Sequence, residues 1–141
     1  SANTAFNPYD TLTCYATLPS SMSGIVFFRT KHRAEVTSFY VDRLGFDVWL
    51  EQDGGCTILQ YDNLLVGFCD GPETETQGIL TIVLEDEVAV DDAYRELADV
   101  ARGQPEENED FEIYQFFADD PDDRTLEIQT FLHRTPTSWA D

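Results

Sequence analysis

The residues best suited to chemistry in this sequence are one arginine, one glutamate and a neighbouring glutamine. Arg29 lies in the apolar run 24–30, and Glu127 and Gln129 lie in the alternating run 125–132. Side chains two residues apart in a strand share a face, so Glu127 and Gln129 point the same way. A guanidinium binds carboxylates and other anions through paired hydrogen bonds, and a buried glutamate can act as a general base. These residue types favour a small-molecule site.

Aromatic residues accompany these polar groups and suit the apolar body of a ligand. The residues expected to bind that ligand are Phe27, Arg29, Tyr61, Tyr114, Glu127, Gln129 and Phe131. In this interpretation Arg29 grips a carboxylate or other anion while the rings cover the rest. Two structural alternatives stay open: an ion pair between Arg29 and Glu127, or an Arg29 side chain that reaches solvent.

The histidines and cysteines are expected to be structural. His32 and His133 stand at the ends of strand-like runs, where surface or capping roles are expected. Three cysteines are an odd number, spread far apart, so no disulfide framework is expected. Cys56 and Cys69 are instead interpreted as buried thiols in a reducing, cytoplasmic compartment.

Two acidic stretches are expected to be turns rather than cation sites. Aspartate and proline are common turn residues, which explains the cluster around Pro121 without calcium. That cluster consists of Asp119, Asp120, Asp122 and Asp123. Residues 106–110 are expected to form a solvated loop, because no spacing in them fixes a coordination shell.

The elements that must position these residues repeat along the chain. Hydrophobic periodicity predicts strands and helices in the order strand, helix and three strands, written twice. The first set is 24–30, helix 33–43, 46–51, 56–61 and 64–69; the second is 78–84, helix 90–101, a short or missing strand within 101–109, 111–117 and 125–132. Each half alone would leave one sheet face bare. Joined, they predict an α+β fold with a curved mixed sheet around a cavity and helices on the outer face.

The length of 141 residues fits one domain. We expect an N-terminal extension over 1–22, a single domain over 23–134, and a tail over 135–141. The domain comprises modules 23–70 and 78–133. The extension is nearly free of charge, with Asp10 its single ionised residue, and is expected to pack on the body or on a neighbouring subunit.

The charge balance excludes some partners and indicates an environment. The chain has 28 acidic and 8 basic residues and a formal charge of -20, which disfavours nucleic acid. The excess acidic side chains repel one another, and at ordinary salt this repulsion destabilises a compact chain. Molar salt screens the repulsion, so we expect a halophilic origin. No apolar run is long enough to span a bilayer, so no membrane partner is expected.

Two segments resemble the vicinal oxygen chelate superfamily, which includes glyoxalase I, bleomycin-resistance proteins and extradiol dioxygenases. Residues 39–46, FYVDRLGF, are similar to the family's first helix and following strand. Residues 117–128, FADDPDDRTLEI, are similar to its penultimate strand, D-P-D-G turn and last strand. Asp123 replaces the glycine of that turn, a position that requires a left-handed backbone, which aspartate tolerates better than most residues.

The resemblance implies a fold of two βαβββ modules and a choice of function. The family's metal enzymes take His or Glu ligands from the first and last strands of each half, and only Glu127 matches one of those positions. We therefore expect no metal and no cofactor. The leading hypothesis is a homodimeric small-molecule-binding protein of the bleomycin-resistance type that sequesters or senses its ligand.

Two alternatives stay open. One is a metal-dependent lyase, isomerase or dioxygenase that uses Glu127 as a general base, with further metal ligands from elsewhere in the chain or from a partner subunit. The other is an interaction module that binds no ligand, in which Phe27, Phe131 and Tyr114 fill the cavity.

Overall fold

The computed structural model describes residues 24–136, so the predicted extension and the last five residues of the tail lie outside the described residues. Two helices and eight strands occur in the order β1 (Ile25–Thr30), α1 (Arg33–Leu44), β2 (Asp47–Gln52), β3 (Cys56–Tyr61), β4 (Leu64–Asp70), β5 (Ile79–Val83), α2 (Glu87–Leu97), β6 (Glu106–Asn108), β7 (Ile113–Asp119) and β8 (Thr125–Phe131). The predicted repeat of strand, helix and three strands is confirmed.

Each module forms its own four-stranded mixed sheet. The strand orders are β1-β4-β3-β2 and β5-β8-β7-β6. In both sheets the first strand runs parallel to the last, and the other neighbours are antiparallel. The α+β class and the two βαβββ modules are as predicted. The two sheets share no hydrogen-bonded strand pair within residues 24–136, so the modules form two separate sheets and not the one continuous curved sheet that was predicted.

Both helices begin and end where local chemistry places them. Helix α1 ends at Gly45, whose φ of 79° is the left-handed conformation that glycine adopts without a steric penalty. Helix α2 begins earlier than predicted because the Asp86 side chain accepts a hydrogen bond from the Ala89 N–H and caps it. It also ends earlier, at Leu97, because Ala101 forms a β-bridge with Ala118.

The helix-facing sides of the two sheets share one hydrophobic core. Tyr40 of α1 packs against Phe46 and Phe68, with ring centroids 5.3 and 5.2 Å apart. Phe116 and Ile128 bring the second module into the same cluster. Side chains alternate along a strand, so every second residue points to the side of its sheet that lies away from the helices. We name that side the outward face of the sheet.

The loop expected over 106–110 is a strand at its start. Glu106, Glu107 and Asn108 form β6, which pairs with Gln115, Tyr114 and Ile113 of β7. This strand lies within 101–109, where the repeat predicted a short or missing strand, but its two exposed glutamates give no apolar alternation that would mark its bounds. The free edge of β7 supplies the hydrogen bonds that make it a strand.

The expectation of free cysteines is wrong for Cys56 and Cys69, which form a disulfide. They are directly opposed residues on β3 and β4, with Cα atoms 4.0 Å apart. A cysteine count does not show strand register, whereas the hairpin turn at Asp62 and Asn63 fixes it. The bond also removes the argument for a reducing compartment.

The aspartate cluster around Pro121 is more than a solvated turn. The side chains of Asp120 and Asp122 are fully buried and bind the equally buried Arg124, at 2.6 and 3.4 Å. The guanidinium of Arg124 lies over the rings of Phe28 and Phe68 in the first module. These contacts tie the β7–β8 turn to the other half of the chain. Asp123 has a φ of 63°, the left-handed conformation predicted for it.

Within the described residues, neither helix has the length and apolar character needed to cross a membrane.

Candidate functional site

The outward face of the second sheet forms an open cavity of about 500 Å³. Its walls are apolar and come from β7 and β8, with further apolar side chains at the rim. The wall residues are Ile113, Phe117 and Phe131, and the rim residues are Ile79 and Phe111. A volume of this size fits a small organic molecule.

The floor of this cavity is a line of hydrogen-bonded polar side chains. Glu127 Oε1 accepts a hydrogen bond from Thr81 Oγ1 at 2.8 Å, and Glu127 Oε2 accepts one from Gln115 Nε2. Gln115 Oε1 in turn accepts one from Asn108 Nδ2 at 2.9 Å. Glu127 and Gln115 are each only 9% exposed. We name Thr81, Glu127, Gln115 and Asn108 the polar floor.

Strand register explains how the polar floor assembles. Thr81 of β5 is opposite Glu127 of β8, and Glu127 is opposite Phe117 of β7. Gln115 lies two residues before Phe117 on β7 and is opposite Gln129 of β8. All of these lie on the outward face because directly opposed residues project to the same side of a sheet.

The polar floor leaves acceptor capacity toward the cavity. A carboxylate offers about four lone-pair positions. Glu127 uses two of them, one on each oxygen, for Thr81 and Gln115. It can therefore accept further hydrogen bonds from a bound molecule.

Gln129 adds a polar group with an unmet hydrogen bond. It is 8% exposed and lines the cavity beside Glu127. Its Oε1 atom is buried and has no hydrogen-bond partner among residues 24–136. A buried acceptor without a hydrogen bond destabilises a protein by about 1–3 kcal/mol. A ligand that donates a hydrogen bond to Gln129 Oε1 would remove this cost.

Three of the residues predicted to bind a ligand share the cavity: Glu127, Gln129 and Phe131. The two tyrosines lie on helix-facing sides instead. The Tyr114 hydroxyl donates a hydrogen bond to Asp91 of α2 at 2.6 Å, and the Tyr61 ring packs on Phe46 in the core.

Phe27 and Arg29 lie on the outward face of the first sheet. The Phe27 ring covers Gly67, where a Cβ atom would approach it to 2.5 Å. The Arg29 guanidinium is 3.7 Å from Glu75. An ion pair between Arg29 and Glu127 was one structural alternative. Within one copy of the chain it does not form, because the two residues belong to different sheets and have other partners.

Five residues at this site were not predicted from the sequence: Thr81, Asn108, Gln115, Ile113 and Phe117. One signal for three of them was present, since positions 113, 115 and 117 alternate on a strand that pairs with β8. Their link to Glu127 depends on the β7–β8 register. Asn108 gives no such signal, because β6 itself is not apparent from its sequence.

The residues around Glu127 do not fit a divalent metal within one chain. Its nearest polar partners are a hydroxyl and an amide. His133 also lines the cavity, but its ring packs edge-on against Phe131 and its Nδ1 lies 2.9 Å from a backbone oxygen. No group of three His, Cys, Asp or Glu within residues 24–136 could hold a metal ion, whereas catalytic zinc takes three such ligands.

Comparisons with known proteins place the fold but go no further. No family model and no curated protein matches this sequence. Among solved structures, an integron cassette protein from the Halifax Harbour sewage outfall metagenome aligns with a TM-score of 0.68 and 19% identity, over 77% of this chain and 97% of that chain.

Two further structures give a similar result. Lactoylglutathione lyase from Agrobacterium tumefaciens has a TM-score of 0.65 and 14% identity, over 81% of this chain and 96% of its own. A glyoxalase/bleomycin resistance protein/dioxygenase from Nocardioides has a TM-score of 0.65 and 15% identity, over 87% and 91%. At such identities the likeness shows that this chain has the fold of the glyoxalase, bleomycin resistance and dioxygenase proteins, built from two βαβββ modules.

Proposed function

We propose that this protein binds a small organic molecule in the cavity of the second sheet and sequesters or senses it without catalysing a reaction. One observation carries the proposal: buried polar side chains line an open cavity whose walls are aromatic and aliphatic. Apolar walls with a few converging polar groups are typical of small-molecule sites.

The alternative of an interaction module that binds no ligand has less support. It requires Phe27, Phe131 and Tyr114 to fill the cavity. Tyr114 instead bonds to Asp91 of α2, and Phe27 lies on the other sheet. Phe131 forms part of the wall and leaves about 500 Å³ open.

Binding of aromatic fragments, followed by NMR on the full chain, tests this proposal. We expect fragments of one or two rings to shift the backbone signals of β7 and β8. Ile113→Trp should fill the cavity and abolish these shifts, whereas Val48→Trp on exposed β2 should leave them unchanged. A panel with no hits, or with hits that survive Ile113→Trp in a folded protein, would contradict the proposal.

The proposed working unit is a homodimer that closes the open side of this cavity. Both outward faces expose apolar side chains: Phe27 and Leu50 on the first sheet, and Ile79 on the second sheet with Phe111 in the adjoining β6–β7 turn. Both faces turn away from the shared core, so that core covers neither of them. In a twofold dimer, the first module of each copy can pack against the second module of the other. This arrangement would cover the two outward faces of both copies.

Sedimentation equilibrium at several salt concentrations tests the dimer. The wild type should sediment as a dimer, and Phe27→Asp or Phe111→Asp should shift it toward monomer. Val88→Asp is the control, because Val88 is exposed on α2 and not on an outward face. A monomeric wild type at all salt concentrations would refute this part.

A further inference from the structure

We infer that the ligand of the second-sheet cavity carries a cationic hydrogen-bond donor, such as a protonated amine or an amidinium, which Glu127 binds while Asn108 and Gln115 position that carboxylate. The inference rests on the proposed function. It names the chemical class of the ligand and the positioning residues.

The first step is the orientation of Asn108. Its Oδ1 accepts hydrogen bonds from the backbone N–H groups of Asp110 and Phe111, at 3.1 and 3.2 Å. Backbone N–H groups only donate, so the atom facing them is the oxygen. The Nδ2 of Asn108 must then face Gln115, where it donates to Oε1.

The second step follows for Gln115. Because its Oε1 faces Asn108, its Nε2 faces Glu127 and donates to Oε2. The two amide orientations are thus fixed from the backbone outward and do not depend on an arbitrary choice of amide rotamer. Thr81 donates to the other oxygen of Glu127, so both sides of the carboxylate are held.

The third step concerns charge. Glu127 is nine-tenths buried, and no lysine or arginine lines the cavity or pairs with it within residues 24–136. A buried carboxylate without a cationic partner is unfavourable. A cationic ligand supplies that partner, and the net charge of -20 favours its approach while opposing anions.

The fourth step concerns the rest of the ligand. The rings of Phe117 and Phe131 and the side chain of Ile113 suit a flat apolar body. The Oε1 atom of Gln129, which has no hydrogen-bond partner among residues 24–136, is a second acceptor on the same face as Glu127. The fitting class is therefore a compact aromatic or aliphatic cation.

Three probes of one size and shape separate charge from shape: benzamidine, benzamide and benzoate. Their dissociation constants are measured by NMR on the full chain at constant molar salt, which screens non-specific attraction. The side-chain NH₂ signals of Asn108, Gln115 and Gln129 report binding at the site. We expect benzamidine to bind at least tenfold more tightly than benzamide, and benzoate to bind more weakly than both.

Variants test each residue's part. Glu127→Gln should remove the preference for benzamidine over benzamide. Glu107→Gln, which removes an exposed charge on β6 outside the cavity, should leave the preference unchanged. Asn108→Asp keeps the acceptor for both backbone N–H groups but loses the donor, so Gln115 should turn over and benzamidine affinity should fall severalfold without loss of stability.

The outcomes are distinct. If aromatic fragments bind in the cavity but benzamidine and benzamide bind equally well, the proposed ligand class is wrong. It is also wrong if Glu127→Gln keeps the preference for benzamidine. A benzamidine affinity that rises in Arg29→Gln shows that Arg29 of a second copy already pairs with Glu127, which also overturns it. If Asn108→Asp binds benzamidine like the wild type, the positioning role is wrong. If no fragment binds in the cavity, the proposed function itself fails.

Discussion

Arg124 is the residue whose burial most constrains the described structure. Its side chain is 1% exposed and lies between Asp120 and Asp122 and the rings of Phe28 and Phe68. The Tyr40 hydroxyl donates a hydrogen bond to Asp120 Oδ2 at 2.7 Å, and Arg124 donates to the same oxygen. Because the charges are fully withdrawn from water, each one depends on its partners.

Replacement of Arg124 should therefore be severely destabilising. Arg124→Met removes the guanidinium that pairs with both buried carboxylates, and we expect a loss of about 3–5 kcal/mol in the free energy of unfolding. Arg95→Met is the matched control, since Arg95 and Asp92 form an exposed pair on α2, and its effect should stay within about 0.5 kcal/mol. Urea titrations at molar salt measure both. Similar losses in the two variants would show that the buried cluster is not a stabilising centre.

Tyr40 predicts how stability changes at alkaline pH. Burial, followed by the negative charge of Asp120, raises the pKa of Tyr40 far above its ordinary value of 10.0, although Arg124 partly opposes this. A raised pKa in the folded state stabilises the protein fully below pH 10, and this contribution declines once the unfolded chain begins to ionise above pH 10.

The free energy of unfolding should therefore fall more steeply above pH 10 in the wild type than in Tyr40→Phe. Denaturant titrations between pH 8 and pH 11 measure this. Tyr114→Phe should flatten the curve in the same way over this pH range, because the hydrogen bond to half-buried Asp91 raises the pKa of Tyr114 to about 12. Parallel curves for the wild type and Tyr40→Phe would contradict the expectation.

Among the elements, the β3–β4 hairpin is closed by a disulfide that the sequence did not predict. Its disulfide joins opposed residues 13 positions apart on strands that already pair. The strands hold Phe68 and Leu59 in the core on one side and present Ile58 and Gly67 on the outward face. The hairpin therefore shapes the first module.

Removal of the disulfide should lower stability by about 3 kcal/mol, the loop-entropy value for a closed loop of this size. The double variant Cys56→Ala, Cys69→Ala and the wild type in dithiothreitol should show the same loss in urea titrations. Dithiothreitol should have no effect on the double variant. An oxidised wild type with two free thiols at positions 56 and 69 by mass spectrometry would contradict the bond itself.

For the whole molecule, the net charge governs how stability depends on salt concentration. With a formal charge of -20 the acidic side chains repel one another in the folded chain, and the Debye length that limits this repulsion falls from about 10 Å at 0.1 M salt to about 3 Å at 1 M. Screening should act on exposed acids and leave the buried cluster around Arg124 unaffected.

We expect the Tm to rise as potassium chloride increases from 0.1 M to 3 M, because screening removes repulsion that the compact chain suffers more than the unfolded one. Calorimetry measures this. Arg124→Met should show the same upward trend from a lower starting value. A Tm that falls steadily with salt would refute both the argument and the proposed halophilic origin.

The order of the elements and most of their buried faces could be predicted from the sequence. The buried positions Val36, Phe39 and Tyr40 of α1 follow from a 3.6-residue period, and Gly45 and Asp123 from the backbone conformations that they permit. The shared face of Glu127 and Gln129 follows from a period of two. These features are local, so a single stretch of chain encodes each of them.

Which of these faces contact one another became visible only in the folded structure. The pairing of Cys56 with Cys69, the contact of Tyr40 with Asp120 some 80 residues away, and the link from Asn108 through Gln115 to Glu127 all depend on strand register or on packing between modules. Periodicity shows which face of a strand a side chain occupies, but register and packing depend on contacts between distant residues. For this reason the sequence placed Arg29 with Glu127, whereas in the fold Glu127 is held by amide and hydroxyl donors.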